Sequence, residues 1–90
     1  MTTTRFSLGR LVATPGVLTT ISHQEIHRGI RLHSSGVWGE VPPEDRETNE
    51  FALVNGLRLL SVYRTPGGVI FWIITEADRS LTTVLLPEEY

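Results

Sequence analysis

The stretch VIFWIITEADRSLTTVLL, residues 69–86, decides the fold. Its first six residues are apolar without interruption, and its last six are apolar or β-branched. Between them lie Thr75, Glu76, Ala77, Asp78, Arg79 and Ser80. Two such runs broken by a short polar cluster read as adjacent antiparallel strands, because branched and aromatic side chains suit a pleated surface. The strands are placed at 69–74 and 81–86, with 77–80 as the connection. The first run does not alternate. It is therefore predicted to be a central strand, covered on both faces, or covered on one and buried by a partner on the other.

Working back from this hairpin, LRLLSVYR (57–64) reads as a third strand and TPGG (65–68) as the turn that joins it. The residues before it carry helix signals. Pro43 suits a first helical turn, Glu44, Asp45 and Glu47 favour the positive end of the helix dipole, and Gly56 ends the element. Phe51, Val54 and Leu57 are assigned to its inner face. Ser22 and Glu25 have capping-box spacing, and Ile26, Ile30 and His33 recur at helical spacing on one face. HSSG (33–36) closes that helix, with Gly36 as a left-handed terminator. Thr14 followed by Pro15 predicts a cap and a short helix over 15–21. A first strand is placed at 6–13, with Gly9 marking a bulge or a close approach. The expectation is an α+β fold, with two to three N-terminal helices packed on a three- to four-stranded antiparallel sheet. Ninety residues make a single domain, 1–90.

Composition narrows the chemistry. The chain has no cysteine, which removes disulfides, thiolate catalysis and cysteine-bound zinc. The formal net charge of −2 disfavours nucleic acid as a partner, since duplex binders show a basic excess. All basic residues are arginine. This fits GC-rich coding, or a surface selected for bidentate contacts to carboxylate or phosphate. The start, MTTTRFSLGRLVATP, has no apolar core of a secretory signal, and VIFWII is far short of the roughly 20 residues that span a bilayer. A cytoplasmic protein with no membrane contact is expected.

Several side chains are candidates for function. His23 and His27 stand four apart in HQEIH, but Gln24 occupies the place where a zinc protease needs glutamate, so no metal is expected. His33, at a helix end, reads as a cap or packing residue, or as a general acid or base. Trp38, between Val37 and Gly39, reads as a core plug or an exposed contact. Glu40, Glu44, Asp45, Glu47 and Glu50 form an acidic stretch, read as a solvated first turn or as a partner-binding, nucleic-acid-mimicking face. Glu76, Asp78 and Arg79 flank the last connection. There Arg79 either pairs internally or, with a threonine beside it, meets a phosphate or a carboxylate.

The chain resembles, over nearly its whole length, a family of short proteobacterial proteins borne on plasmids, phages and integrative elements. The resemblance rests on LGRLVATPG, HSSGVWGE, DRETNE, LLSVY and, above all, WIITEADRSLTTVLLPEEY. Members commonly carry aspartate before the tryptophan, where this chain has Val37, which argues against acid–base chemistry at that point. The resemblance implies an accessory protein that binds a host protein, such as a CRISPR or restriction component, and inhibits it. The partner-binding residues would be Trp38, Glu40, Glu44, Asp45, Glu47, Glu76, Asp78 and Arg79. The order of elements also resembles barnase- and colicin-type ribonuclease toxins, which act without metal. That alternative, a small ribonuclease or a catalytically inactive relic of one, assigns catalysis to His33, Glu40, Arg79 and Thr83. Neither reading requires a cofactor. A homodimer formed through an edge strand or the apolar sheet face is a third possibility.

Overall fold

The computed structural model describes residues 4–90. Met1 to Thr3, part of the segment read as lacking a secretory signal, lie outside the described residues. The elements run β1 (Arg10–Ala13), α1 (Pro15–Thr20), α2 (His23–Ser34), α3 (Pro43–Asn55), β2 (Leu59–Arg64), β3 (Ile70–Thr75), β4 (Leu81–Leu85) and a terminal 3₁₀ turn (Pro87–Glu89). The fold is α+β, as the sequence predicts. No described helix is long and apolar enough to cross a membrane.

Strands β2, β3 and β4 form the antiparallel meander, and β3 is central. Register sorts the side chains into two faces. Leu59, Ser61, Tyr63, Phe71, Ile73, Thr75, Thr82 and Val84 share one face, and each is buried. Val17 from α1, Ile21 just after it and Ile26 from α2 join Tyr63, Phe71, Ile73 and Val84 in the main core. Ala52 from α3 packs with Leu59, Trp38 and Val41 in a second cluster. All three helices thus sit on one side of the sheet. Each fully buried Leu, Ile or Phe contributes roughly 1.5–3 kcal/mol.

The helix boundaries follow the caps. Thr14 accepts a hydrogen bond from the Val17 amide at 3.3 Å, and Ser22 accepts one from the Glu25 amide at 3.2 Å. Gly36 and Gly56 are left-handed, at φ +79 and +65. Gly9 marks the close approach that its sequence position suggests, since a Cβ there would overlap the backbone of Arg79 and Ser80.

Two expectations are corrected. The sheet is mixed rather than purely antiparallel, because β1 joins it parallel to β4. The cause lies at the ends of these strands. Glu89, just after β4, accepts hydrogen bonds from the Thr14 hydroxyl and the Gly16 amide, just after β1. Both strands must therefore finish at the same end of the sheet. The inner face of α3 is also not Phe51, Val54 and Leu57, which are 60%, 85% and 47% exposed. Asn49 and Ala52 face inward instead. The Asn49 amide donates to the Leu60 carbonyl at 2.7 Å, and its oxygen accepts from the Leu60 amide at 3.2 Å. This two-way bond satisfies an edge-strand peptide and sets the rotation of the helix, overriding the apolar pattern.

The same edge of β2 is covered further along. Val62 donates to the Trp38 carbonyl at 3.1 Å and accepts from the Glu40 amide at 2.7 Å. Gly39 sits between them at φ +78, where a Cβ would overlap the Val62 carbonyl. Gly39→Ala is therefore expected to cost about 3 kcal/mol or more in urea denaturation. Gly68→Ala, at φ +87 in open space, should cost only the left-handed penalty of roughly 1–2 kcal/mol.

Candidate functional site

His33 lies in the last turn of α2 with its ring buried against the sheet. Its Nδ1 lies 2.6 Å from the Ser61 hydroxyl on β2, and its Nε2 lies 2.8 Å from the Thr75 hydroxyl on β3. Thr75 contacts the Thr82 hydroxyl on β4 at 2.7 Å, and Thr82 donates to the Leu8 carbonyl at 2.6 Å. A carbonyl can only accept, so the direction of the whole chain follows. Thr82 spends its proton on Leu8, so Thr75 must donate to Thr82. Thr75 then accepts from His33 Nε2–H, and Ser61 donates to Nδ1. The imidazole is the neutral Nε2–H tautomer. Burial, and secondarily the positive charge of Arg79, pushes its pKa down to about 3.

Around this ring stands an aromatic box. Phe6 meets His33 edge-on at 5.2 Å, Trp38 meets it at 5.8 Å, and Phe6 stacks on Trp38 at 6.2 Å. The Trp38 indole donates to Glu50 at 2.9 Å, and Arg5 grips Glu50 with two bonds of 2.8 and 2.9 Å. The Arg5 bonds, and then the Trp38 bond, hold the Glu50 carboxyl below the usual carboxylate range. Trp38 is therefore a core plug.

Arg79 neither pairs with Glu76 or Asp78 nor stands free. Its guanidinium donates to the backbone carbonyls of Leu57 at 2.6 Å, Ala52 at 3.0 Å, Glu76 at 3.1 Å and Ala77 at 3.3 Å. It also lies 5.8 Å from the Phe6 ring centre. The last turn of α3 has no basic residue of its own, so Arg79 supplies the cation that its carbonyl end favours. To reach it, Arg79 takes φ +63, the only left-handed non-glycine among the described residues.

The structure thus gathers His33, Trp38 and Arg79 around Phe6, with His33 and Trp38 buried and Phe6 and Arg79 half-buried. It does not bring Glu40 or Thr83 to them. Glu40 is exposed and pairs with Arg64 at 3.1 Å. Thr83 is on the opposite sheet face from Thr82. Glu76 pairs with Arg58 at 3.3 Å, and Asp78 accepts from the Ser80 amide and hydroxyl within its own turn. Among the described residues, no cluster of His, Asp and Glu could hold a metal. Phe6, Ser61, Thr75 and Asn49 were not among the candidate residues. Small hydroxyls at inward strand positions are the one available signal, and they point only to Ser61 and Thr75.

What remains accessible is the outer side of α3. Glu44, Glu47, Phe51 and Val54 follow steps of three and four, so they form one exposed stripe. Asp45 is exposed on the same first turns, and Leu57 on the loop after the helix. A depression of about 500 Å³ bounded by Pro43, Arg46, Glu47 and Glu50 borders the acidic end. No family model, no curated protein and no solved structure matches the chain.

Two outcomes follow for stability. The His33 ring binds its proton far less readily folded than unfolded, where its ordinary pKa is 6.5. The unfolded chain therefore gains protons as pH falls below about 6.5 while the native protein does not. Stability should drop by about 1.4 kcal/mol per pH unit from below pH 6 toward pH 3. Between pH 6 and 5, above the carboxylate range, this slope should vanish in His33→Leu, as read by urea denaturation at each pH. At Arg79, alanine should cost about 2–3 kcal/mol through the lost charged hydrogen bonds, and glycine about 1 kcal/mol less, because it relieves the left-handed backbone.

Proposed function

We propose that the protein acts by binding another protein through the outer face of α3. The observation that carries this reading is the stripe itself. A phenylalanine and a valine stand out of a 90-residue domain beside three exposed carboxylates, Glu44, Asp45 and Glu47. Exposed apolar side chains next to charge mark contact surfaces, and aromatic residues dominate their energetics. The helix that carries them is held from three directions, by Asn49 on Leu60, by Arg79 on Ala52 and by Arg5 on Glu50. A rigid helix face loses little entropy on docking.

The complementary partner has an apolar cleft flanked by arginine or lysine. A host protein that handles nucleic acid offers such a surface, and the sequence resemblance suggests a CRISPR or restriction component, which this protein would inhibit by occupying it. Catalysis of the ribonuclease type finds less support, because His33 has no exposed surface and both ring nitrogens are engaged.

Affinity capture from a host lysate tests the reading. A stoichiometric partner should be retained by the native chain and weakened about thirtyfold by Phe51→Glu, with an unchanged melting curve. Glu44→Lys and Glu47→Lys should slow association and reduce its salt dependence. A partner held equally well by all three variants would refute the proposed face. Cleavage of single-stranded RNA, lost in His33→Ala and Arg79→Ala, would replace the proposal with the enzymatic one.

A further inference from the structure

Both asparagines of the chain lie on α3, and their surroundings differ. Asn49 is buried, precedes Glu50 and holds its side-chain amide on the Leu60 peptide from both ends. Asn55 is exposed, ends the helix and precedes Gly56, which is exposed as well. Before glycine, the next backbone nitrogen reaches the asparagine side-chain carbon most easily, because glycine has no Cβ to obstruct the approach and the freest backbone. Gly56 stands at φ +65, and a Cβ placed on it would meet nothing within 4 Å. We propose that Asn55–Gly56 is a self-modifying site, at which the asparagine converts to aspartate or isoaspartate without an enzyme.

The step balances with water as its only co-reactant. The Gly56 nitrogen loses its proton and bonds to Cγ of Asn55. The Cγ–Nδ2 bond breaks, and Nδ2 leaves with that proton as ammonia. The succinimide so formed takes up water at either carbonyl. One opening gives aspartate, and the other reroutes the chain through Cγ and gives isoaspartate.

The fold sets the rate. The attacking Gly56 nitrogen donates to the Ala52 carbonyl, and the leaving Asn55 amide donates to the Phe51 carbonyl at 2.9 Å. Both bonds must open first, so the reaction proceeds from a frayed last turn, and helix ends fray at far lower cost than the whole domain unfolds. Arg79 governs this fraying. Its guanidinium donates to the Ala52 carbonyl at 3.0 Å and to the Leu57 carbonyl at 2.6 Å, one on each side of the Asn55–Gly56 bond. It is a positioning residue that holds the reacting atoms apart.

The product suits its place less well than the asparagine does. A carboxylate cannot donate to the Phe51 carbonyl, and it stands at the negative end of the helix dipole. The last turn of α3 therefore loosens after conversion. Asn55 lies four residues beyond Phe51, so the new charge joins the exposed stripe. Its effect on a partner rests on the docking reading, whereas the conversion itself does not.

Peptide mapping by mass spectrometry, after incubation at mildly alkaline pH, tests this with the native chain, Arg79→Ala, Arg79→Lys, Gly68→Ala and Asn55→Gln. Circular dichroism checks that each variant is folded. The native chain should accumulate isoaspartate at position 55 and none at Asn49. Arg79→Ala should form it about tenfold faster. Arg79→Lys keeps the charge but cannot fork across both carbonyls, and its rate should fall between the two. Gly68→Ala, which weakens the fold in the β2–β3 turn, should match the native rate, and Asn55→Gln should form none. A native chain that forms no isoaspartate at position 55, while the same chain in urea does, would overturn the inference. So would equal rates in the native chain and both Arg79 variants, or an acceleration by Gly68→Ala as large as that by Arg79→Ala, which would place the opening in global unfolding.

Discussion

The hydrogen-bonded chain from Ser61 through His33, Thr75 and Thr82 to Leu8 is the constraint on which the rest depends. It ties α2 to three strands and to the segment before β1. Each of these groups would cost about 1–3 kcal/mol if buried without a partner. Among the described residues no buried side-chain nitrogen or oxygen lacks one. The gain in stability from such a network is modest, but the penalty for misplacing it is large. A one-residue slip of β3 would turn Thr75 to the other face, leaving His33 Nε2–H without its acceptor and Thr82 without its donor. The network therefore specifies register where a purely apolar β3 could not, since Phe71, Trp72, Ile73 and Ile74 are nearly interchangeable in a hydrophobic pattern.

The same chain explains why residues with catalytic potential serve structure. A histidine between two hydroxyls, with an arginine nearby, has the composition of a reactive site. Here the ring is sealed by Phe6 and Trp38, its direction of donation is fixed by a backbone carbonyl, and its charge state is set by burial. The acidic-apolar stripe of α3 lies outside this network and is exposed.

Local chemistry made much of the fold legible. Thr14, Ser22, Gly36 and Gly56 mark element ends through side-chain or backbone geometry that involves near neighbours only. Gly9 announces a close approach in the same way. What could not be read depends on distant pairs. The parallel placement of β1 follows from Glu89 on Thr14, and the rotation of α3 from Asn49 on Leu60, in which an amide outweighs three apolar side chains. Arg79 could be recognised as important in its polar turn, but its targets, the Ala52 and Leu57 carbonyls, are backbone atoms with no sequence signature. The exposure of Phe51 and Val54 followed only once Asn49 had claimed the inner face.

The central claim is that His33 is a neutral, fixed hub. Nitrogen chemical shifts of its imidazole, followed by NMR through a pH titration, test it most directly. Nε2 should be protonated and Nδ1 unprotonated, with no titration until the pH approaches about 3. A proton on Nδ1, or a transition near the ordinary histidine value of 6.5 in the folded protein, would contradict it.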